Sequence, residues 1–400
     1  MQETSGGPVA DPTLWALAHL LDLERVTAPS GHSDPVAAVA LAQLLCGGLR
    51  FGVAATSTAP LRGRRTLADE LHLLQRVLHE LGLEVTLGAV TPHVDLRLGR
   101  GEARMVVWVD RASLPWHGCS KGERGRAARL LTLVGRADTG ATRIVVRDAD
   151  ARHILDELDL SAAGAAVPNG QGMALALVPP PIEAVIAAAE RALVRAVRGW
   201  ALPHAFGVLA AEAVDDGPDA ALALARDLLL SDGEGGGASG PLAGLDGATL
   251  RDTQARMWAY ARFAEGDGCL GRRVFAEGVR VISAVRQDAE LRSLASTLLA
   301  SASAWREAIE SLLPTGSGAT LLRRREQAYA DALRLGTDPD AAHLLRDAAD
   351  AARRSLVRQP WDEAQAADAR EAAGRLWLGA LGNEREIVAM VGEALRGWGG

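Results

Sequence analysis

The 400-residue chain has little cysteine, no long apolar run and no surplus of positive charge, and each shortage removes a class of protein. Its three cysteines, Cys46, Cys119 and Cys269, lie far apart without CxxC or Cys/His spacing, so neither a disulfide framework nor a zinc site is expected. All three read as reduced thiols. No apolar stretch approaches the roughly 18 residues of a membrane span, and Met1–Val9 lacks the basic and apolar regions of a signal peptide. A cytoplasmic protein without a membrane partner is therefore expected. Acidic residues outnumber basic ones, 50 to 43, giving a formal net charge of −7 that argues against nucleic acid as the main partner. The common chemical motifs are missing as well: there is no GxxxxGK[ST], no GxGxxG between a strand and a helix, no GxSxG and no HExxH. Nothing implies a cofactor, and no fixed repeat period points to a solenoid.

What is present suits a soluble globular chain, 48% hydrophobic and 23% charged. Its length exceeds the roughly 250–300 residues at which a single core stops growing, so two domains are expected, 1–180 and 181–400. In the first, Asp11-Pro12 opens a helix over about 12–23, and Ser33 or Asp34 with Pro35 opens another to Leu45. Helical spacing over Thr66–Leu81 gives a third. Short strands follow in LEVTLG, MVVWV, LLTLV, RIVV and GMALAL, with 150–166 read as a connector of some helical character. This order, helices and then a run of strands, is an α+β pattern. From Ile182 onward the apolar spacing is helical throughout. Helices are expected at about 182–199, 203–214, 218–230, 249–265, 270–287, 288–312, 320–335, 339–357 and 361–381, with a short last one to Trp398. Residues 231–240, SDGEGGGASG, read as a flexible linker.

The strands between Met105 and Asp150 carry the candidate chemistry, because Asp110, Arg129, Asp148 and Asp150 fall at or near their ends. A carboxylate at Asp148 or Asp150 can orient a histidine or hold an ammonium group; equally, Asp is a common strand-ending turn residue. His117 lies near Cys119, a pairing able to activate a thiolate. Gly47 and Gly48, followed by Phe51, suit a close backbone approach or a plain helix C-cap. Ser33 beside His32 and Asp34 is first a helix cap.

One set of motifs resembles a known family. WVDRASLPWH, then an apolar strand ending in Val-Gly, then a turn with Asp-Thr-Gly, then IVVRDAD, is similar to the N-terminal domain of the butirosin biosynthesis protein H family. LCGGLRFG resembles that family's glycine-rich segment and ALAHLL its first helix, and the helical remainder resembles the domain that accompanies it. The resemblance implies a papain-like, cysteine-peptidase-type domain recruited to acyl transfer, from an acyl carrier protein thioester to an amine. That chemistry needs a thiolate at a helix start, a histidine base on the sheet and an acid to orient it. Here the family's His-Cys pair falls on Asp11-Pro12, its strand histidine falls on Arg129, and its strand-ending aspartate is kept as Asp148. A shifted alignment puts His32-Ser33 on the pair. The candidate catalytic residues are thus Asp148 and Arg129, with Ser33 as the alternative. Candidate substrate-binding residues are Gly47, Gly48, Phe51, Asp110, Trp116, His117 and Asp150.

Two functions are compatible with these residues. One is a natural-product biosynthesis enzyme that acts on an amine-bearing or carrier-bound substrate without the family's Cys and His, by positioning alone. The other is a catalytically degenerate member that binds a substrate, carrier or partner. The expected partners are a small molecule or an acyl carrier protein, with homo-oligomerisation through the helical domain.

Overall fold

The computed structural model describes residues 12–27, 34–47, 52–54, 61–62, 67–83, 87–89, 104–117, 128–137, 142–148, 151–167, 172–198, 200, 214–216, 222, 225, 228–229, 247–259, 261–262, 269–335, 339–358 and 363–397. In chain order these form α1 (Pro12–Leu20), α2 (Glu24–Thr27), α3 (Pro35–Leu45), β1 (Gly52–Ala54), β2 (Leu61–Arg62), α4 (Leu67–Glu80), β3 (Leu87–Ala89), β4 (Arg104–Asp110), β5 (Ala128–Arg136), β6 (Arg143–Asp148), β7 (Ala151–Asp156), α5 (Glu157–Ala165), β8 (Met173–Leu177), α6 (Ile182–Arg198) and β9 (Val214–Asp216). Then come α7 (Gly247–Ala259), α8 (Arg272–Arg286), α9 (Ala289–Glu310), α10 (Ser317–Leu335), α11 (Pro339–Arg358) and α12 (Glu363–Ala394). The class is α+β, rich in helix, with an antiparallel sheet. No helix among the described residues is long and apolar enough to cross a membrane.

Local chemistry sets the helix ends. Asp34 caps α3, its Oδ1 accepting the backbone N–H groups of Val36 and Ala37 at 3.0 Å, with Pro35 preset for the first turn. The first helix ends earlier than its apolar run, at Leu20, because Asp22 takes a left-handed φ of 50°. That carboxylate then ties down the turn by pairing with Arg25 at 2.7 Å and Arg104 at 3.2 Å.

Six strands pair in the order β3-β8-β4-β5-β6-β7, every neighbour antiparallel. The apolar runs MVVWV, LLTLV and RIVV lie in β4, β5 and β6, and the last two residues of LEVTLG open β3, residues 84–86 lying outside the described residues. The helical character expected within 150–166 is α5, and the segment before it is a strand, β7, that the pattern did not announce. It escapes the usual pattern because β7 buries Ala151, His153 and Leu155 and exposes Arg152, Ile154 and Asp156, so a histidine faces in and an isoleucine out. Alternation along the central strands gives the sheet two apolar faces. Val106, Trp108 and Leu130 face the residues of α1 and α3. Val107, Val109, Leu131, Leu133, Ile144, Val146 and Leu155 face Leu160 and Ala163 of α5.

Residue 180 marks a change of secondary structure and no gap in packing. One core cluster joins α1, α3 and the sheet to Ile186 and Leu193 of α6, Phe275 and Val279 of α8, Leu291 of α9 and Val391 of α12. Strand β9 extends this continuity, since it pairs with β1 from the other side of the boundary, and the later region is therefore not wholly helical. The helix expected at 203–214 lies outside the described residues apart from Val214, as does the 231–240 linker, and of 218–230 only isolated helical residues are described. The helices expected at 361–381 and to Trp398 are one 32-residue helix, α12. Its middle holds Glu384, 1% exposed, whose carboxylate accepts N–H groups from Trp200 at 3.2 Å, from Arg272 at 3.2 Å and from Trp305. This anchoring carries α12 through Gly379 and Gly382, which otherwise weaken a helix.

A close backbone approach joins the two regions. A Cβ on Gly278 of α8 would stand 2.4 Å from the Ala40 carbonyl oxygen of α3. Gly278→Ala is expected to lower stability by ~1–3 kcal/mol by forcing two packed helices apart. Urea denaturation of wild type and variant checks this, and an unchanged midpoint would mean that α3 and α8 are less intimate than described.

Candidate functional site

The site is built around Asp148, the last residue of β6, 4% exposed. Alternation puts Asp148 on the face of Ile144 and Val146, and Arg129 on the same face as Leu131. Two short 3-10 turns after β4, Arg111–Ser113 and Pro115–His117, bring Trp116 and His117 onto that face. Ser113 holds the first turn to the strand end by donating its hydroxyl to Asp110 Oδ2 at 2.8 Å.

Four N–H groups converge on the one carboxylate. Oδ1 accepts from Arg129 Nε at 2.8 Å and lies 2.7 Å from its Nη2, while Oδ2 accepts from Trp116 Nε1 at 2.8 Å and His117 Nε2 at 2.7 Å. An ionised carboxylate only accepts, so His117 carries its proton on Nε2 in this contact. Burial alone would raise the Asp148 carboxyl, but the Arg129 guanidinium and the His117 hydrogen bond outweigh it and hold the group well below the usual carboxylate range. For His117 burial wins: it takes the imidazole down to about 4 despite Asp148, so the ring is neutral at physiological pH. His153 of β7 lies flat on Trp116, ring centroids 3.8 Å apart and planes 6° off parallel, and burial lowers its pKa as well.

This geometry clasps a loop to a sheet and leaves Asp148 little to offer a substrate. A carboxylate has about four lone-pair sites, and here all are engaged. With its pKa so low Asp148 is no base, and Arg129 stays charged and cannot be one either. The side chain of Arg129 is 19% exposed, which brings its cation to the edge of the cluster.

Other expected site residues stand elsewhere. Asp110, fully buried, shares the opposite face of β4 with Val106 and Trp108, the face covered by α1. The first turn of α1, where the resemblance would put a nucleophile, holds Pro12 and the buried Thr13, and α1 lies on that same side of the sheet. Helix start and Asp148 cluster are thus on opposite faces, which corrects the expectation that they form one cleft. Gly47, with φ 74°, follows the C-cap Cys46 of α3: its N–H meets Leu44 O at 2.8 Å, and Arg76 Nη2 donates to the Cys46 carbonyl at 2.9 Å. Its role as a helix end suffices. Cys46 and Cys269 are buried in two core clusters that do not contain the Asp148 face. Ser33, Gly48, Phe51, Cys119 and Asp150 lie outside the described residues. Among the described residues no group of His, Cys, Asp and Glu side chains could hold a metal ion.

Two histidines were not anticipated. His153 was hidden by the inverted pattern of β7. His19, on the inner side of α1, bonds to the Leu133 backbone and is lowered to about 4 by burial and by Arg104 and Arg147; its place in an apolar helix gave no signal of this contact.

No protein-family model matches the chain, and no curated protein matches it.

The depressed histidines fix a pH dependence. Folded His117 and His19 titrate near 4 against an ordinary 6.5, so between those values the unfolded chain binds more protons and stability falls as pH falls. His117→Gln keeps an amide donor toward Asp148 and does not titrate. Its urea midpoint is expected to fall less than that of wild type as pH drops from 6.5 towards 4. Identical pH profiles would show that His117 is not buried in its neutral form.

Proposed function

We propose that this chain is a catalytically degenerate relative of the acyl carrier protein-dependent acyltransferases of natural-product biosynthesis, with a papain-like N-terminal region of the butirosin biosynthesis protein H kind. Its role is to bind a small-molecule, carrier-borne or protein partner. The observation that carries this reading is the engagement of Asp148: the acid that should orient a base is saturated by four N–H groups, and the base position is Arg129. A triad needs an imidazole between acid and nucleophile. Here the imidazole beside the acid is a neutral, weakly basic His117 on the face away from α1. The motif behind the resemblance, WVDxxxLPWH, is the same segment that supplies Trp116 and His117 to the clasp, so it serves a structural purpose without the reaction.

The test is incubation with an acyl-N-acetylcysteamine thioester and a panel of amines, followed by mass spectrometry of protein and products. The expected result is no acyl adduct and no amide, with binding of an acyl carrier protein or an amine measurable by calorimetry. An adduct on Cys46, Cys119 or Ser33 would overturn the proposal. So would amide formed without an adduct and lost in Arg129→Gln, which would favour an enzyme acting by positioning.

A further inference from the structure

Strand β7 is an edge of the six-stranded sheet, paired with β6 on one side and with no strand on the other among the described residues. Its register shows which groups face outward. The Glu157 N–H donates to the Thr142 carbonyl at 2.8 Å, so antiparallel alternation makes Ile144/Leu155, Val146/His153 and Asp148/Ala151 the hydrogen-bonded pairs. The backbone N–H and C=O groups of Arg152 and Ile154, and the N–H of Asp156, therefore point away from β6, while the Asp156 carbonyl, at the N-cap of α5, begins that helix. The same three residues put their side chains on the exposed side of the strand. Ile154 is 57% exposed, and Leu158, just beyond the strand in α5, is 75% exposed. An open edge with an outward isoleucine is a feature that monomeric proteins ordinarily suppress.

The edge is complementary to itself. Laid antiparallel against a second copy about a two-fold axis at Ile154, it places Ile154 opposite Ile154, Arg152 opposite Asp156 and Asp156 opposite Arg152. Ile154 can exchange both backbone bonds with its copy and the Asp156 N–H can meet the Arg152 carbonyl, so backbone and side-chain registers agree, and Asp156 would bridge Arg152 of the second copy and Arg143 of its own sheet, 3.9 Å away. Val145, directly across from Ile154 on β6 and 2% exposed, extends the apolar row to Val145–Ile154–Ile154–Val145 across the axis. Oppositely charged pairs flank that row, an arrangement that favours one register over its neighbours. Self-complementarity of this kind is the signature of an isologous contact.

We propose that two copies of this chain dimerise edge to edge through β7, joining their sheets into one continuous antiparallel sheet. This places self-association on the sheet and not on the helical region, and it is independent of the proposed function. A single strand pair is a small contact beside the roughly 1,200 Å² of a standard interface, so the dimer should depend on concentration.

Sedimentation equilibrium over a concentration series, with the full chain, tests this. Wild type is expected to move from the 41.9 kDa chain mass toward twice that value. Arg152→Asp and Asp156→Arg each set like charges opposite one another at two symmetric positions and should weaken association roughly tenfold or more. Combining the two restores opposite charges and should restore the dimer, while circular dichroism of each variant verifies folding. A wild-type chain that stays monomeric throughout the series overturns the proposal, whether or not the edge accepts a strand from another protein. Dimers that survive both single reversals, or a double reversal that fails to recover association while remaining folded, overturn it as well.

Discussion

A buried carboxylate that must find donors organises the sheet half of this protein. Asp148 has lost its water, and an ion so placed is tolerable only if its oxygens are met by hydrogen bonds and an opposite charge. Arg129 supplies the charge from β5, and Trp116 and His117 supply donors from the turns after β4. Three chain segments are thus fixed by one side chain. Removing a partner would strand a charge in the interior, whereas a merely apolar contact could be repacked. The stacking of His153 on Trp116 carries the same constraint to β7, which brings the edge strand into the cluster.

The helical region solves the same problem in the same way. Glu384 sits in the middle of α12 and accepts from Arg272 on α8 and from the indoles of Trp200 and Trp305, with the Arg272 guanidinium 5.2 Å from the centroid of the Trp305 ring. In both places a carboxylate is matched by an arginine and by indole N–H donors, which satisfy it without exposing it. Buried polar networks of this type fix a unique arrangement of elements, and here each fixes elements distant in sequence. An apolar core running from α1 through α8 to α12 then makes the two regions one packed body.

How much of this was legible in sequence depends on whether a signal was local. The caps at Asp34 and Pro35, the three apolar strands and most later helices follow from patterns within a few residues. Asp148 and Arg129 stood out as charges at strand ends, and the structure brings them together. What could not be read was their face: alternation within β5 and β6 is local, but which face meets α1 is decided by packing. Strand β7 was missed for a related reason. Its outward Ile154 and inward His153 reverse the expected pattern, because the histidine is held by Trp116 and the isoleucine stands at an open edge. The unbroken α12 shows the same limit, since Gly379 and Gly382 near its middle argue for a stop that the burial of Glu384 overrules.

At the end of β6 the sheet half thus holds an acid in structural use, its carboxylate met by Arg129, Trp116 and His117 and left with nothing to offer as a base. The most direct measurement of that claim is the side-chain ¹⁵N spectrum of His117 at neutral pH. A neutral imidazole with the proton on Nε2 and an unprotonated Nδ1 is predicted, since Asp148 can only accept. An imidazolium, or a neutral ring protonated on Nδ1, would contradict the account.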